Sequence, residues 1–134
     1  MEIILKPIGF IHSPYIDSRP IPKQSIYSDG VHATIKILDE YVEGLSSLKS
    51  GSYGIVLFYF HKIEGYTLTV QRKPDESVGI FSTRSPHRPN KIGLSIVRFI
   101  KISGNIIEFE GVDMLDGTPV IDIKPYDEAL NPKL

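Results

Sequence analysis

Residues 82–95, Ser-Thr-Arg-Ser-Pro-His-Arg-Pro-Asn-Lys-Ile-Gly-Leu-Ser, gather Arg84, His87, Arg88, Asn90 and Lys91 between two apolar runs. Pro86 and Pro89 fix their own φ and push the residue before each toward extended backbone, so the cations and the amide stand on a stiffened loop. Such a donor-rich, cationic loop suits an anionic ligand, a carboxylate or a phosphate. The competing reading is a solvated hairpin tip, the usual fate of charged loops. Two prolines and the lack of any nearby acidic residue favour the functional reading.

The elements that must position this loop belong to a chain of 134 residues with no cysteine. That length suffices for one domain over 1–134 with a core of its own. Without cysteine there is no disulfide, thiolate catalysis or cysteine-ligated zinc, which fits a cytoplasmic protein. The apolar run Ile55 to Phe60 is too short to span a bilayer, and no basic-then-apolar leader opens the chain, so an untargeted, membrane-free protein is expected. A formal charge of −1 taken alone argues against nucleic acid. Its distribution changes that. No Asp or Glu occurs between Ser77 and Ile107, where Arg84, Arg88, Lys91, Arg98 and Lys101 lie, whereas Glu108, Glu110, Asp113, Asp116, Asp122, Asp127 and Glu128 crowd the C-terminal part. A basic surface can therefore exist on an acidic whole.

Alternation and turn chemistry predict strands over Ile3 to Ile11, Val31 to Leu38, Tyr53 to His61, Tyr66 to Gln71, Val78 to Thr83, Leu94 to Ile102, Ile106 to Val112 and Val120 to Tyr126. Tyr66 to Gln71 is expected to fold back onto Tyr53 to His61 through Glu64-Gly65, and Ser103-Gly104-Asn105 to turn the chain into Ile106. The strand Tyr53 to His61 reads as buried on both faces. In Val120 to Tyr126, Ile121 and Ile123 alternate against Asp122 and Lys124. Residues Ser13 to Gly30, with three prolines, read as a long loop. Val42, Leu45 and Leu48 make Tyr41 to Lys49 the single short helix. Many short strands and one helix define a mainly β chain, a compact barrel or β-rich domain.

The phosphate-cradling glycine motifs are absent, as is the βαβ alternation of doubly wound nucleotide-binding sheets. His12, His32, His61 and His87 are scattered without metal-ligand spacing, so no metal is expected. Ser82, His87 and Asp113 could be drawn as a hydrolase triad, but no nucleophile-elbow sequence surrounds the serine.

Four segments taken in order, Ile8-Gly-Phe-Ile-His-Ser-Pro-Tyr15, Phe58-Tyr-Phe-His61, the loop from Ser82 to Ser95, and Asp113-Met-Leu-Asp-Gly-Thr-Pro-Val-Ile-Asp-Ile-Lys-Pro-Tyr126, resemble the TsaA-like (TrmO-type) family of S-adenosylmethionine-dependent tRNA adenine-N6 methyltransferases. The resemblance covers nearly the whole chain. It implies a homodimeric β-barrel of a non-Rossmann methyltransferase class, with methyl transfer to N6 of threonylcarbamoyl-adenosine at position 37 of tRNA. It implies a cofactor site made of Pro22, Lys23, Gln24, His61, Lys62, Arg84, Leu94, Asp113, Met114, Leu115 and Asp116. Lys23 stands where the family commonly has arginine, and Lys91 where proline is usual. With tRNA as partner and no role for DNA, Arg88, Lys91 and Arg98 become the RNA-binding candidates. Asn90 and Asp116 are the candidates for handling the amine proton. Two other readings remain open: a catalytically silent RNA-binding barrel, and a cofactor-dependent methyltransferase acting on another RNA or a small molecule.

Overall fold

Alternation along six segments puts one mostly apolar row of each on a common inner face, and the sheet they form closes on itself. A computed structural model describes residues 1–16 and 30–134. In chain order the strands are β1 (Gly9–His12), β2 (His32–Ile37), β3 (Tyr53–Tyr59), β4 (Thr69–Lys73), β5 (Glu76–Gly79), β6 (Ile92–Ser103), β7 (Ile106–Glu110) and β8 (Pro119–Pro125). All pairs are antiparallel. The closed barrel runs β1-β2-β7-β6-β3-β8, and β4 and β5 form a separate two-stranded hairpin. The expected mainly β barrel is the architecture observed.

Ile11, Ile35, Val56, Phe99, Ile107, Phe109 and Val120 are fully buried inside, so side chains fill the barrel and leave no channel. On β7 the intervening Glu108 and Glu110 face outward, as alternation requires. Gly104, at φ 61°, takes the first central position of the two-residue turn between Ser103 and Ile106. A glycine is favoured there because the backbone is left-handed.

Five expectations change. The first strand is shorter, because Pro7 offers no N–H to a ladder and Ile3, Ile4 and Leu5 lie exposed outside the barrel. Residues 66–71 do not return onto β3, whose two edges are already taken by β6 and β8. Their strand instead pairs with β5 across Pro74-Asp75, where Gln71 donates to the Pro74 carbonyl at 2.7 Å. The predicted strand Val78 to Thr83 stops at Gly79 and continues as a 3-10 turn over Ile80–Ser82, anchored by buried Ile80 and capped by the Thr83 hydroxyl on the Ile80 carbonyl at 2.8 Å. The helix appears as a 3-10 helix over Asp39–Leu45.

The fifth change concerns β3 and β8. Register between them shifts at Leu57/Phe58, where Leu57 pairs with Asp122 and Phe58 with Val120. Ile121 is thereby the extra residue: Val120 and Ile123 pack on the core while Ile121 joins an outer groove. β3 itself is buried on one face only, with Tyr53 and Tyr59 exposed on the other.

A Cβ built on Gly54 would run into the ring of Phe99, which is itself fully buried. The ring has nowhere to retreat. Gly54→Ala is expected to lower unfolding stability by roughly 1–3 kcal/mol, read as an earlier urea midpoint; an unchanged midpoint would contradict this packing.

Candidate functional site

The cationic loop is built from its own short-range bonds. The Thr83 hydroxyl accepts from the Ser85 N–H at 3.2 Å, and the Ser85 hydroxyl from the His87 N–H at 3.3 Å. Arg88 Nη1 donates to the Thr83 and Ser85 carbonyls at 2.9 and 3.1 Å, so part of this guanidinium is structural. At the far end the Phe60 N–H meets the Lys91 carbonyl at 2.9 Å, which ties the loop to the chain leaving β3.

Between this loop and the barrel lies a cavity of about 210 Å³. Arg84, Arg88 and Thr83 line it from the loop; Phe58 from β3 and Phe60 just after it; Ile92, Gly93, Leu94 and Ser95 from β6; and Asp113 from the segment after β7. A Cβ on Gly93 would strike the Phe58 ring and come within 2.9 Å of Phe60, so glycine admits the aromatic floor. Those two rings meet edge to face at 5.1 Å and 75°. The buried Ser95 hydroxyl, 2.7 and 2.9 Å from the two Asp113 carboxylate oxygens, donates to that group and orients it.

A second constellation lies where residues 11–15 run beside residues 113–118. Asp116 N donates to the Tyr15 carbonyl at 2.7 Å, Gly117 N to that of Ile11 at 2.8 Å, and the Ser13 hydroxyl to that of Met114 at 2.8 Å. Asp116 accepts from the Ser13 N–H at 3.0 Å, with His12 Nδ1 at 3.7 Å. His61 faces the same turn, since a Cβ on Gly117 would lie 3.7 Å from its Nε2. Partial burial, then the Lys62 cation, lowers the His61 pKa from its ordinary value of 6.5, so the imidazole is neutral at pH 7.

Of the residues named from sequence, Arg84, Leu94 and Asp113 meet in the cavity together with Arg88. His61 and Asp116 meet at the neighbouring turn. Lys62 is exposed, Met114 belongs to the core, and the Leu115 carbonyl accepts from the Thr118 hydroxyl at 2.6 Å. Asn90 and Lys91 line the outer groove rather than the cavity. Arg98 pairs with Glu110 at 3.1 Å, six residues along β6 from the loop. Pro22, Lys23 and Gln24 lie outside the described residues. Ser95, Phe58, Phe60 and Gly93 were not singled out as site residues. The available signal was Ser95 itself, a polar residue in the inward phase of Gly93, Val97 and Phe99. Among the described residues no cluster of three or more His, Asp or Glu could hold a metal, and no helix is long and apolar enough to cross a membrane.

The donor set fits one kind of ligand. Guanidinium and carboxylate on opposed segments over an aromatic floor match a small zwitterion bearing an apolar or cationic body. Fold and site together therefore define an antiparallel barrel with a cavity of this chemistry at one end, unlike a doubly wound nucleotide-binding sheet. The family model described as the tRNA-methyltransferase O N-terminal domain matches residues 10–131, and the chain belongs to that family. The chain is 40% identical over 130 residues to an S-adenosyl-L-methionine-binding protein of Archaeoglobus fulgidus, covering 96% of this chain and 93% of that one. It is 39% identical over 133 residues to a tRNA (adenine(37)-N6)-methyltransferase of Mus musculus, covering 93% of this chain and 31% of that one. The crystal structure of TrmO from Pseudomonas aeruginosa superposes with a TM-score of 0.80 at 34% identity over 98% of this chain, which spans 58% of that chain.

Because the His61 pKa is lowered, the unfolded chain binds the proton more readily than the folded one as pH falls through 6.5. Stability is then expected to decline on acidification through the window just below 6.5. His61→Gln should flatten that decline in pH-dependent thermal melts; equal slopes for both proteins would contradict the assignment.

Proposed function

We propose that this chain is an S-adenosylmethionine-dependent methyltransferase that methylates N6 of adenine in tRNA, specifically threonylcarbamoyl-adenosine at position 37. One observation carries the reading: Arg84 and the Ser95-oriented Asp113 line one cavity over the rings of Phe58 and Phe60. A carboxylate, an ammonium and a cationic sulfur each find a complementary group there. The methyltransferase names carried by relatives support the same class of reaction. A cationic loop beside the cavity fits a substrate whose threonyl arm ends in a carboxylate, and a tRNA substrate agrees with work in the cytoplasm.

S-adenosylmethionine supplies an activated methyl group on a sulfonium, so no further activation of the donor is needed. What the chain must contribute is alignment, and proximity and orientation can supply roughly 7–11 kcal/mol of barrier reduction. Arg84 would hold the carboxylate end and Asp113 the ammonium end. Of the two proton-handling candidates, the Asp116 carboxylate offers only acceptor oxygens to the amine N–H, whereas the Asn90 amide can accept or donate and so can only orient it. Asp116 is kept in place by the Ser13 N–H.

The cavity, about 210 Å³, is below the ~300–1,000 Å³ usual for sites that enclose a ligand of this size. It would take one end of the cofactor. On the outer face of β3 and β6, Ile55 pairs with Ile96, Leu57 with Leu94 and Tyr59 with Ile92, an apolar ladder with Leu94 at the cavity wall. A second copy seated on this ladder would cover the remainder, so the working form is a homodimer. Ile96→Glu should shift the protein toward monomer in sedimentation velocity and weaken cofactor binding; an intact dimer would rule out this interface, and a wild-type monomer would rule out the dimer.

Nucleoside mass spectrometry of tRNA from cells with and without the protein tests the substrate. Methylated threonylcarbamoyl-adenosine should disappear with the gene, and an unchanged level would exclude this substrate. Calorimetry tests the site: Arg84→Ala should reduce S-adenosylmethionine affinity about tenfold or more, the range of a lost charged hydrogen bond.

A further inference from the structure

The hairpin of β4 and β5 stands outside the barrel and contributes nothing to the cavity, yet it carries an unusual surface. Phe81 is 79% exposed, Tyr66 61% and Leu68 60%. Phe81 is displayed because its neighbour Ile80 is 1% exposed and anchors the 3-10 turn from the other side. The patch is tied directly to the cationic loop. Thr67 N donates to the His87 carbonyl at 3.2 Å, Ile80 N to that of Leu68 at 2.9 Å, and Arg72 Nη2 to that of Ser82, next to Phe81, at 3.3 Å. Residues 62–91 hold Lys62, Arg72, Lys73, Arg84, Arg88 and Lys91 against Glu64, Asp75 and Glu76, so this part of the molecule is cationic although the whole chain carries −1.

We infer that the β4–β5 hairpin arm is a single-stranded RNA platform, on which Phe81 and Tyr66 stack unpaired bases while Arg72 and Lys62 meet the adjoining phosphates. The inference rests on the proposed RNA substrate and adds where the strand outside the reacting nucleotide is held. A nucleotide turned out of its stack toward the methyl donor leaves its neighbours unstacked, and exposed aromatic rings flanked by cations are the chemistry that receives them. A second copy of this chain is the less suitable occupant. Symmetric contact at this patch would bring like charges together, which disfavours association, whereas a polyanion satisfies rings and cations at once. The apolar ladder on β3 and β6, with no charged residue in its three paired rows, is the better seat for a copy.

The test is fluorescence anisotropy of the full chain with a synthetic anticodon stem-loop RNA and with a blunt duplex RNA of equal length. The stem-loop should bind more tightly. Phe81→Ala should weaken stem-loop binding about tenfold, within the range for one lost base stack, and Phe81→Trp should retain it. Arg72→Ala should lower the slope of log affinity against log salt by about one. Cofactor affinity and thermal midpoint should stay at wild-type values in all three. Wild-type RNA affinity in Phe81→Ala overturns the platform while leaving the methyltransferase reading intact, and so does a change in sedimentation, which would assign the patch to a second copy. A wild-type protein that binds cofactor but no RNA overturns the platform and the proposed substrate together.

Discussion

β1 and β8 meet over only two registered pairs, Gly9 with Val120 and Phe10 with Pro119, yet this seam closes the barrel. Backbone bonds beyond the strands lengthen it: Ile11 N to the Thr118 carbonyl at 2.9 Å, and Gly117 N to that of Ile11 at 2.8 Å. Because the seam continues into residues 113–118, the closure that completes the core also delivers Asp113 to the cavity and Asp116 to its turn. Site geometry is thus inherited from barrel closure rather than from a flexible loop. On the other side of β1, Gly9 gives β2 its close approach, since a Cβ there would press on the Lys36 carbonyl and the Ile37 backbone.

Closure has a second effect. Once every edge of the six strands is used, residues 62–82 have no place in the barrel sheet and must satisfy their backbone elsewhere. They do so by pairing with themselves and by bonding to the cationic loop, Thr67 N to the His87 carbonyl and Arg72 Nη2 to that of Ser82. The loop is therefore braced from three sides: its own hydroxyl turns, the hairpin, and the Phe60–Lys91 bond. Bracing matters electrostatically, since like-charged side chains repel and a slack loop would spread them apart.

What was legible in the sequence follows from the range of the interaction that decides it. Ile35, Ile107 and Phe109 declare their inward face by simple alternation, and Gly104 declares its turn by its own conformational freedom. The bulge at Ile121 was hidden because alternation in β8 reads correctly on either side of it; only pairing with β3 reveals the skipped residue. The partner of residues 66–71 was hidden for a similar reason, as occupancy of both β3 edges is a property of the closed sheet. In the site, charged residues were visible as charges, and the family resemblance named Leu94 and Asp113. Ser95 escaped because its importance lies in the carboxylate it orients 18 positions away.

The small cavity and the apolar ladder beside it are best understood together. Antiparallel sheets normally alternate apolar-in with polar-out when one face meets water. On β3 and β6 the outer face breaks that rule through Ile55, Leu57, Tyr59, Ile92, Leu94 and Ile96, whereas β7 obeys it with Glu108 and Glu110. The violation is most continuous on the strands that also line the cavity with Phe58, Gly93 and Ser95 on their inner face. Ile92 and Leu94 lie at the junction, contributing to the cavity wall and to the ladder. Covering the ladder would withdraw this side of the cavity from water, lower its local dielectric and strengthen the attraction of Arg84 and Asp113 for a charged ligand. Association and ligand binding would then be coupled through the surroundings of these two side chains, each favouring the other by the same factor.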